Sequence, residues 1–226
     1  MKFEIRISPK IREACPTFRA GIIYADVTNN DYNDLLWNEI AKECEFLKQS
    51  YTIEQINKRP NILATRNAYK KTGKDPNRYR PSAESLTRRI IRNIDLYRIN
   101  TLVDLINLVS LRSGYSIGGF DAEKISGNTL TLGIGEAEEI FHGIGRGILN
   151  IEGLPVYRDA IGGIGTPTSD EERTKIGLNT KKILVIINSF GTHEDLSDTI
   201  IYTEHLLKEF AEANNIKHQI IKNSFE

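Results

Sequence analysis

The stretch that decides the fold is NTLVDLINLVSLRSGYSIGGFD, residues 100–121. Apolar side chains cover more than half of the helical surface in its first part, which predicts a buried helix. Thr101 and Asp104 have the spacing of a capping box at the start of that helix. Gly114 is the residue type that commonly ends a helix. The pattern therefore predicts one buried helix, followed by a turn at residues 118–121.

The same stretch suggests a pocket. Asn107 is a polar side chain on an apolar helix, and a buried polar group needs a partner. Gly118 and Gly119 leave room for the close approach of backbone or ligand. Asn107, Gly118, Gly119 and Asp121 are therefore candidate pocket residues. A core helix with a tight exit turn has the same pattern, so both interpretations stay open.

Composition limits the classes of protein. The 226 residues are 39% hydrophobic and 27% charged, as in an ordinary soluble globular protein. No apolar run approaches the roughly 20 residues of a membrane span, and the N-terminal residues lack the apolar segment of a secretion signal. Cys15 and Cys44 have no CxxC spacing, which argues against structural zinc and a disulfide scaffold. We expect a single cytoplasmic domain with no cofactor or metal.

Hydrophobic periodicity predicts the remaining scaffold. The run KILVIIN has the character of a buried central strand, and the first two strands are expected to pair. Strands are predicted at residues 2–7, 18–27, 127–134, 156–160, 182–188 and 216–221, and helices at 31–49, 60–71, 82–92 and 195–213.

Charge is distributed unevenly although the net charge is zero. Residues 58–98 contain twelve Lys or Arg and three acidic residues, so this segment is +9 and the remainder −9. Such asymmetry indicates a face for a polyanion such as RNA, although a solvated helical face is the simpler interpretation. The candidate phosphate contacts are Arg66, Lys70, Arg78, Arg80, Arg88, Arg89 and Arg92.

A second glycine-rich segment, residues 162–170, is the other candidate ligand loop. Gly162 and Gly163 would let backbone amides turn towards a ligand, and Thr168, Ser169 and Asp170 would supply hydroxyls and a carboxylate. Phosphate, ribose or an amino-acid head group are all compatible with that chemistry. A Ser/Thr-capped turn before a short helix at Glu171 explains the same residues.

Familiar catalytic motifs are absent from the sequence. There is no HExxH, GxSxG or Walker-type sequence, and no GxGxxG between a strand and a helix. If the protein is an enzyme, the favoured chemistry is hydrolysis by a positioned water, which depends on hydrogen-bonding groups more than on a strong base.

Three segments carry a family resemblance. RPSAESLTRRI (80–90), INTLVDLINLVSLRSGYSIGGFD (99–121) and DAIGGIGTPTSDEERTKI (159–176) resemble the B three/four editing domain of the phenylalanyl-tRNA synthetase beta chain, and especially its free-standing relatives. The resemblance covers about residues 57–190, with additional segments at 1–56 and 191–226. It implies an α+β fold with a mixed-sheet core and flanking helices, and hydrolysis of tyrosine wrongly attached to the phenylalanine tRNA.

The resemblance also assigns positions. It places Asn107 in the editing pocket, Ile106 where the synthetase pattern has threonine, and Gly118 where it has a histidine that positions water. The glutamate that recognises the tyrosine hydroxyl falls near Thr168, and Asp170 could replace it only if the loop is shifted. Nothing in the sequence resembles the aminoacylation core, so we do not expect tRNA charging.

The sequence is therefore compatible with three functions. The first is a tRNA-binding domain that holds an amino acid or aminoacyl ester in its pocket and hydrolyses mischarged tRNA. The second is a non-catalytic binding protein for an amino acid or a nucleotide-like small molecule. The third is an interaction module whose basic segment binds an acidic protein.

Overall fold

Strand β9 (Lys182–Ser189) forms the centre of the computed structural model, which describes residues 3–191 and 193–223. Its residues Ile183 to Ile187 have no exposed surface, as the apolar run predicts. The other strands are β1 (Glu4–Ile7), β2 (Arg19–Asp26), β3 (Ser116–Asp121), β4 (Thr129–Ile134), β5 (His142–Gly143), β6 (Gly147–Ile148), β7 (Pro155–Arg158), β8 (Gly163–Gly165) and β10 (Asn214–Lys222). The helices are α1 (Pro9–Ala14), α2 (Asp34–Ser50), α3 (Pro60–Thr72), α4 (Ser82–Ile91), α5 (Thr101–Ser113) and α6 (Leu196–Ala211).

Two four-stranded sheets organise the chain. One has the order β10-β2-β9-β3 and is antiparallel throughout. The other has the order β1-β4-β7-β8 and is mixed, because β1 runs parallel to β4. The expected pairing of the first two strands is therefore wrong, since β1 and β2 belong to different sheets. The α+β class with a mixed sheet and flanking helices is confirmed.

The sheet that contains β9 is covered on both faces. Val185 and Ile187 belong to the core cluster formed with α2, α5 and α6. Leu184 and Ile186 belong to the cluster that faces the mixed sheet. Successive side chains of a strand point to opposite faces, so a continuous apolar run is what a strand between these two layers requires.

Helix α5 begins and ends at the expected places, but with a different cap. Asn100, not Thr101, is the N-cap, and its side chain accepts a hydrogen bond from the Val103 N–H at 3.1 Å. Asp104 accepts from the Ile99 N–H at 3.1 Å and from Trp37 Nε1 at 2.8 Å. Gly114 ends the helix in the left-handed conformation with φ of 77°, which glycine adopts without strain.

The predicted turn at Gly118 and Gly119 is wrong, because both residues lie inside strand β3. Gly118 pairs with Ile186 and Gly119 with Val185 of β9. The glycines are needed for packing instead. A Cβ on Gly119 would lie 2.3 Å from Ile106 Cδ1, and one on Gly118 would lie 2.7 Å from the Phe120 ring. Glycine therefore lets α5 lie close against β3.

Candidate ligand-binding cleft

A cleft of about 390 Å³ opens where α4 and α5 meet the edge of β3 and the segment after β8. Most of its wall is aliphatic, and its polar groups come from four separate parts of the chain. The lining residues are Ser82, Leu86, Ile99, Val103, Ile106, Asn107, Ser110, Ile117, Gly119, Ile144, Thr166, Ser169, Asp170, Lys175 and Ile176. A cleft of this size, with an apolar wall and a few polar groups, has the character of a small-ligand site.

Asn107 and Gly119 lie in this cleft. Asn107 is partly exposed, and its side-chain amide makes no hydrogen bond to any residue that the structure describes. Because an amide offers two donors and an acceptor, it remains available to a ligand. Gly119 lines the cleft through its backbone, since β3 is an edge strand with one side unpaired.

Asp170 is the carboxylate of the cleft. Its Oδ2 accepts a hydrogen bond from the Gly119 N–H at 3.2 Å. Desolvation by the surrounding chain raises the pKa of Asp170 to about 7, although the Gly119 hydrogen bond acts in the opposite direction. The neighbouring glycines make room for this side chain, because a Cβ on Gly165 would lie 2.7 Å from its Oδ1.

The 162–170 segment forms a hydroxyl-capped turn. Thr166 Oγ1 accepts from the Thr168 N–H at 3.2 Å and from the Ser169 N–H at 3.1 Å. Thr168 points away from the cleft, because its hydroxyl bonds Tyr69 Oη at 2.9 Å in the interior. Of the three polar candidates in this segment, Ser169 and Asp170 reach the cleft and Thr168 does not.

Four glycine and acidic candidates lie outside the cleft wall. Asp121 holds the β3 exit, accepting from Thr180 Oγ1 at 2.9 Å. The Gly162 N–H donates to Asp159 at 3.1 Å, and a Cβ on Gly163 would lie 2.9 Å from the Phe141 ring. Gly118 faces Phe120, as described above. These residues shape the scaffold around the cleft.

The residues matched by a known family include both sides of this cleft. Residues 64–198, more than half of the chain, match the B3/4 domain. The chain belongs to the B3/4 domain family. A solved N-terminal fragment of the phenylalanyl-tRNA synthetase beta-subunit from Pyrococcus horikoshii is similar at 13% identity, with a TM-score of 0.48. The match covers 97% of this chain and 50% of that fragment, so this chain spans half of the fragment's length. No curated protein matches.

The seven basic candidates of this B3/4 domain differ in how far their charges are already engaged within the protein. Arg66 is 7% exposed and bonds Glu84 at 2.8 Å as well as Asn77 and the Pro76 carbonyl. Arg88 bonds the other Glu84 oxygen at 2.7 Å. These two guanidiniums are therefore occupied within the protein. The exposed candidates are Lys70, Arg78, Arg80 and Arg92.

Arg89 belongs to a different arrangement. Its guanidinium lies 4.2 Å from the centre of the Tyr97 ring and also donates to the Asp95 carbonyl. Tyr97 is 68% exposed. Arg89 lies about one helical turn beyond Leu86, a cleft residue of α4. The contact between Arg89 and Tyr97 therefore lies near the C-terminal end of α4.

The sequence did not reveal that aliphatic side chains would form the wall of a cleft. Leu86, Ile117 and Ile176 are ordinary core residues by pattern, and only their convergence defines the cleft. Among the residues described, no group of three or more His, Cys, Asp or Glu could hold a metal ion. In the same part of the chain, every helix is too short or too polar to cross a bilayer.

Proposed function

We propose that this B3/4 domain binds aminoacyl-tRNA, with the aminoacyl end in the cleft and hydrolysis of a mischarged ester as its reaction. The observation that carries the proposal is the combination of an aliphatic cleft with three polar groups on one side: the free amide of Asn107, the Gly119 backbone and the Asp170 carboxylate. An aminoacyl ester has both an apolar side chain and a polar head group, which suits such a cleft.

The chemistry required of the protein is modest. An activated ester needs a water held above the plane of its carbonyl group, within reach of the carbonyl carbon, and positioning supplies much of the rate in such reactions. Asn107 can donate to the carbonyl oxygen or hold the water. No histidine lines the cleft in the described residues, so hydrolysis would use hydrogen-bond donors and Asp170 and would be slower than with a histidine at Gly118.

The expected RNA contacts are the four exposed cations and the partly exposed Arg89, not the full set of seven. Lys70, Arg78, Arg80, Arg89 and Arg92 remain candidates for phosphate binding, with Tyr97 as an aromatic neighbour that a base could stack on. Arg66 and Arg88 organise the helices that carry them. Since α4 supplies cleft residues and is flanked by the exposed cations Arg80 and Arg92, the amino acid and the RNA backbone would be held on the same side.

A filter-binding series tests the RNA contacts. The affinity for tRNA should fall with salt, with a slope of about 0.9 per phosphate contact on duplex RNA and less on single strands. The double variant Arg78→Glu with Arg92→Glu should weaken binding strongly at low salt. Its matched control reverses two exposed lysines of β10, Lys217→Glu with Lys222→Glu, and should bind almost as the wild type does. Equal losses in both variants would overturn the RNA face.

A deacylation assay tests the reaction. Tyrosine-charged phenylalanine tRNA is incubated with wild-type protein and with Asn107→Ala, and released tyrosine is followed. Hydrolysis by the wild type that slows at least tenfold in Asn107→Ala supports a positioned water in the cleft. An ester half-life equal to that in buffer would exclude hydrolysis by the protein. The question of tRNA binding would then be decided by the salt series alone.

The second candidate function is non-catalytic binding of an amino acid or a nucleotide-like small molecule. Two observations favour it: Gly118 supplies no side chain, and Thr168 is directed into the interior. Calorimetric binding of free amino acids, with no change in the ester half-life and no affinity for tRNA, would establish this function in place of the first.

A further inference from the structure

Asp170 is an incompletely satisfied carboxylate. Oδ2 has the Gly119 N–H at 3.2 Å, whereas Oδ1 receives no hydrogen bond from the residues that the structure describes. No Lys, Arg or His nitrogen in that part of the chain forms an ion pair with it. A carboxylate in an apolar wall without a counter-charge is costly when ionised. When Asp170 is ionised, its negative charge in the cleft is therefore uncompensated by the residues that the structure describes.

The charged side chains around Asp170 are engaged elsewhere. Lys175, which also lines the cleft, forms an ion pair with Glu172. Glu171 accepts from the Arg173 N–H and lies 3.8 Å from His142 Nδ1. On β3, Asp121 lies 3.5 Å from Lys124 Nζ. On α4, Arg89 lies over the Tyr97 ring, and Arg146 beyond β5 is exposed to solvent.

The walls that face Asp170 define the rest of the ligand. Ile106 and Ile176 come within 3.2 Å of a Cβ placed on Gly119, and Val103, Ile117 and Ile144 extend the same surface. All of these side chains are aliphatic. Apolar contact with them would hold a branched aliphatic group, because burial of apolar area is favourable and requires no directed bonds.

We propose that Asp170 binds the protonated amine of the ligand, and that the cleft accepts a primary ammonium group attached to an aliphatic body. An ammonium at Oδ1 would supply both the missing counter-charge and the missing donors in a charge-assisted hydrogen bond. An aminoacyl ester with a free α-amine belongs to this class, whereas an N-acylated one does not. The inference rests on the cleft being the ligand site and is independent of tRNA binding.

Isothermal titration of the full chain with two small probes tests this. L-Leucinamide carries the ammonium and the aliphatic body, and 4-methylpentanamide is the same molecule without the amine. At about pH 7.5 the wild type should bind leucinamide at least about tenfold more tightly. In Asp170→Asn, which keeps an acceptor for the Gly119 N–H, this ratio should fall to about one. Asp198→Asn, which removes an exposed carboxylate of α6 outside the cleft, should keep it.

The pH dependence provides a second measurement on unmodified protein. Leucinamide affinity should rise from about pH 5.5 to about pH 7.5 as Asp170 ionises, then fall as the amine loses its proton. Binding of the uncharged probe should not follow this curve.

Three results would overturn the proposal: equal affinity for the two probes, an unchanged ratio in Asp170→Asn, or no detectable binding of leucinamide by the wild type. Loss of tRNA affinity alone would refute only the proposed function. Conversely, tRNA binding with no preference for the amine would refute only the role of Asp170.

Discussion

Glu84 is a buried carboxylate and Asp170 a partly buried one, and the protein treats them in opposite ways. Glu84 has no exposed side-chain surface and is surrounded by guanidiniums, with Arg66 at 2.8 Å, Arg88 at 2.7 Å and Arg80 at 3.9 Å. Among the residues that the structure describes, Asp170 has one backbone N–H donor and no cationic partner. The first charge is compensated within the fold and serves its architecture. The second is left uncompensated at the edge of a cleft, where a ligand can reach it.

The largest effect on stability should come from removing the compensated charge of Glu84. In Glu84→Gln the buried guanidinium of Arg66 and the partly buried one of Arg88 lose their charged partner, and we expect the free energy of unfolding to fall by about 3 kcal/mol. Urea denaturation at neutral pH measures this. Arg80→Gln is the control, because its side chain is 47% exposed and its removal should cost less than about 1 kcal/mol. A Glu84→Gln effect as small as that of the control would mean that solvent compensates the arginines.

Removing the uncompensated charge of Asp170 should change the free energy of unfolding in the opposite direction. The folded-state pKa of Asp170, about 7, lies above the ordinary value of a carboxyl group, so the folded protein holds this proton more strongly. Its contribution to stability is present below about pH 4 and is lost as the pH rises to about 7.

Asp170→Asn should therefore match the wild type at about pH 4 and be more stable by about 2 kcal/mol at about pH 8, a figure reduced for contact with water in the cleft. Urea denaturation across this range measures the difference. A constant difference between the two proteins at every pH would show that Asp170 titrates normally.

The carboxylate of Asp104 is intermediate between those of Glu84 and Asp170 in how well it is compensated. Burial raises its pKa, while hydrogen bonds from the Ile99 N–H and Trp37 Nε1 lower it. Trp37→Phe removes the 2.8 Å donor and should cost about 1.5 kcal/mol, because the remaining acceptor is a charged group. The loss should shrink in acid, where Asp104 is protonated. Thermal unfolding at two pH values would reveal whether it does, and an equal loss at both would attribute it to indole packing.

The smallest expected effect on stability concerns an uncharged group, the hydroxyl of Thr101. Thr101 Oγ1 is buried without a hydrogen-bond partner in the described part of the chain, so Thr101→Val should leave stability unchanged or raise it by up to about 1 kcal/mol. A hydroxyl that capped α5 would instead cost about 1 kcal/mol on removal. Asn100→Ala, which removes the cap itself, should show that cost, and a reversed ranking of the two variants would contradict the assigned cap.

The positions of individual groups show where sequence reasoning succeeded. The buried character of α5, its end at Gly114 and the central position of β9 all follow from local periodicity and from one residue type. The resemblance to the B3/4 domain was also readable from three short segments. Asn107 was identified because a lone amide on an apolar helix is conspicuous, and the structure places it in the cleft.

Pairings and charge compensation could not be read in this way. β1 pairs with β4 instead of β2, and alternation alone carries no information about a strand's partner. The glycines of β3 resemble a turn until β9 is known to lie beside them. Arg66 has the same sequence signal as exposed Lys70, and only the position of Glu84 on another helix separates them.

The sequence by itself determined which segments are buried, where the main helix begins and ends, and which family the chain resembles, because these properties depend on residues close together in the chain. Only the tertiary structure decided which polar groups remain unsatisfied. Asn107 on α5, Gly119 on β3 and Asp170 after β8 converge through contacts between distant segments. That convergence also leaves Asp170 without a cationic partner among residues 3–191 and 193–223.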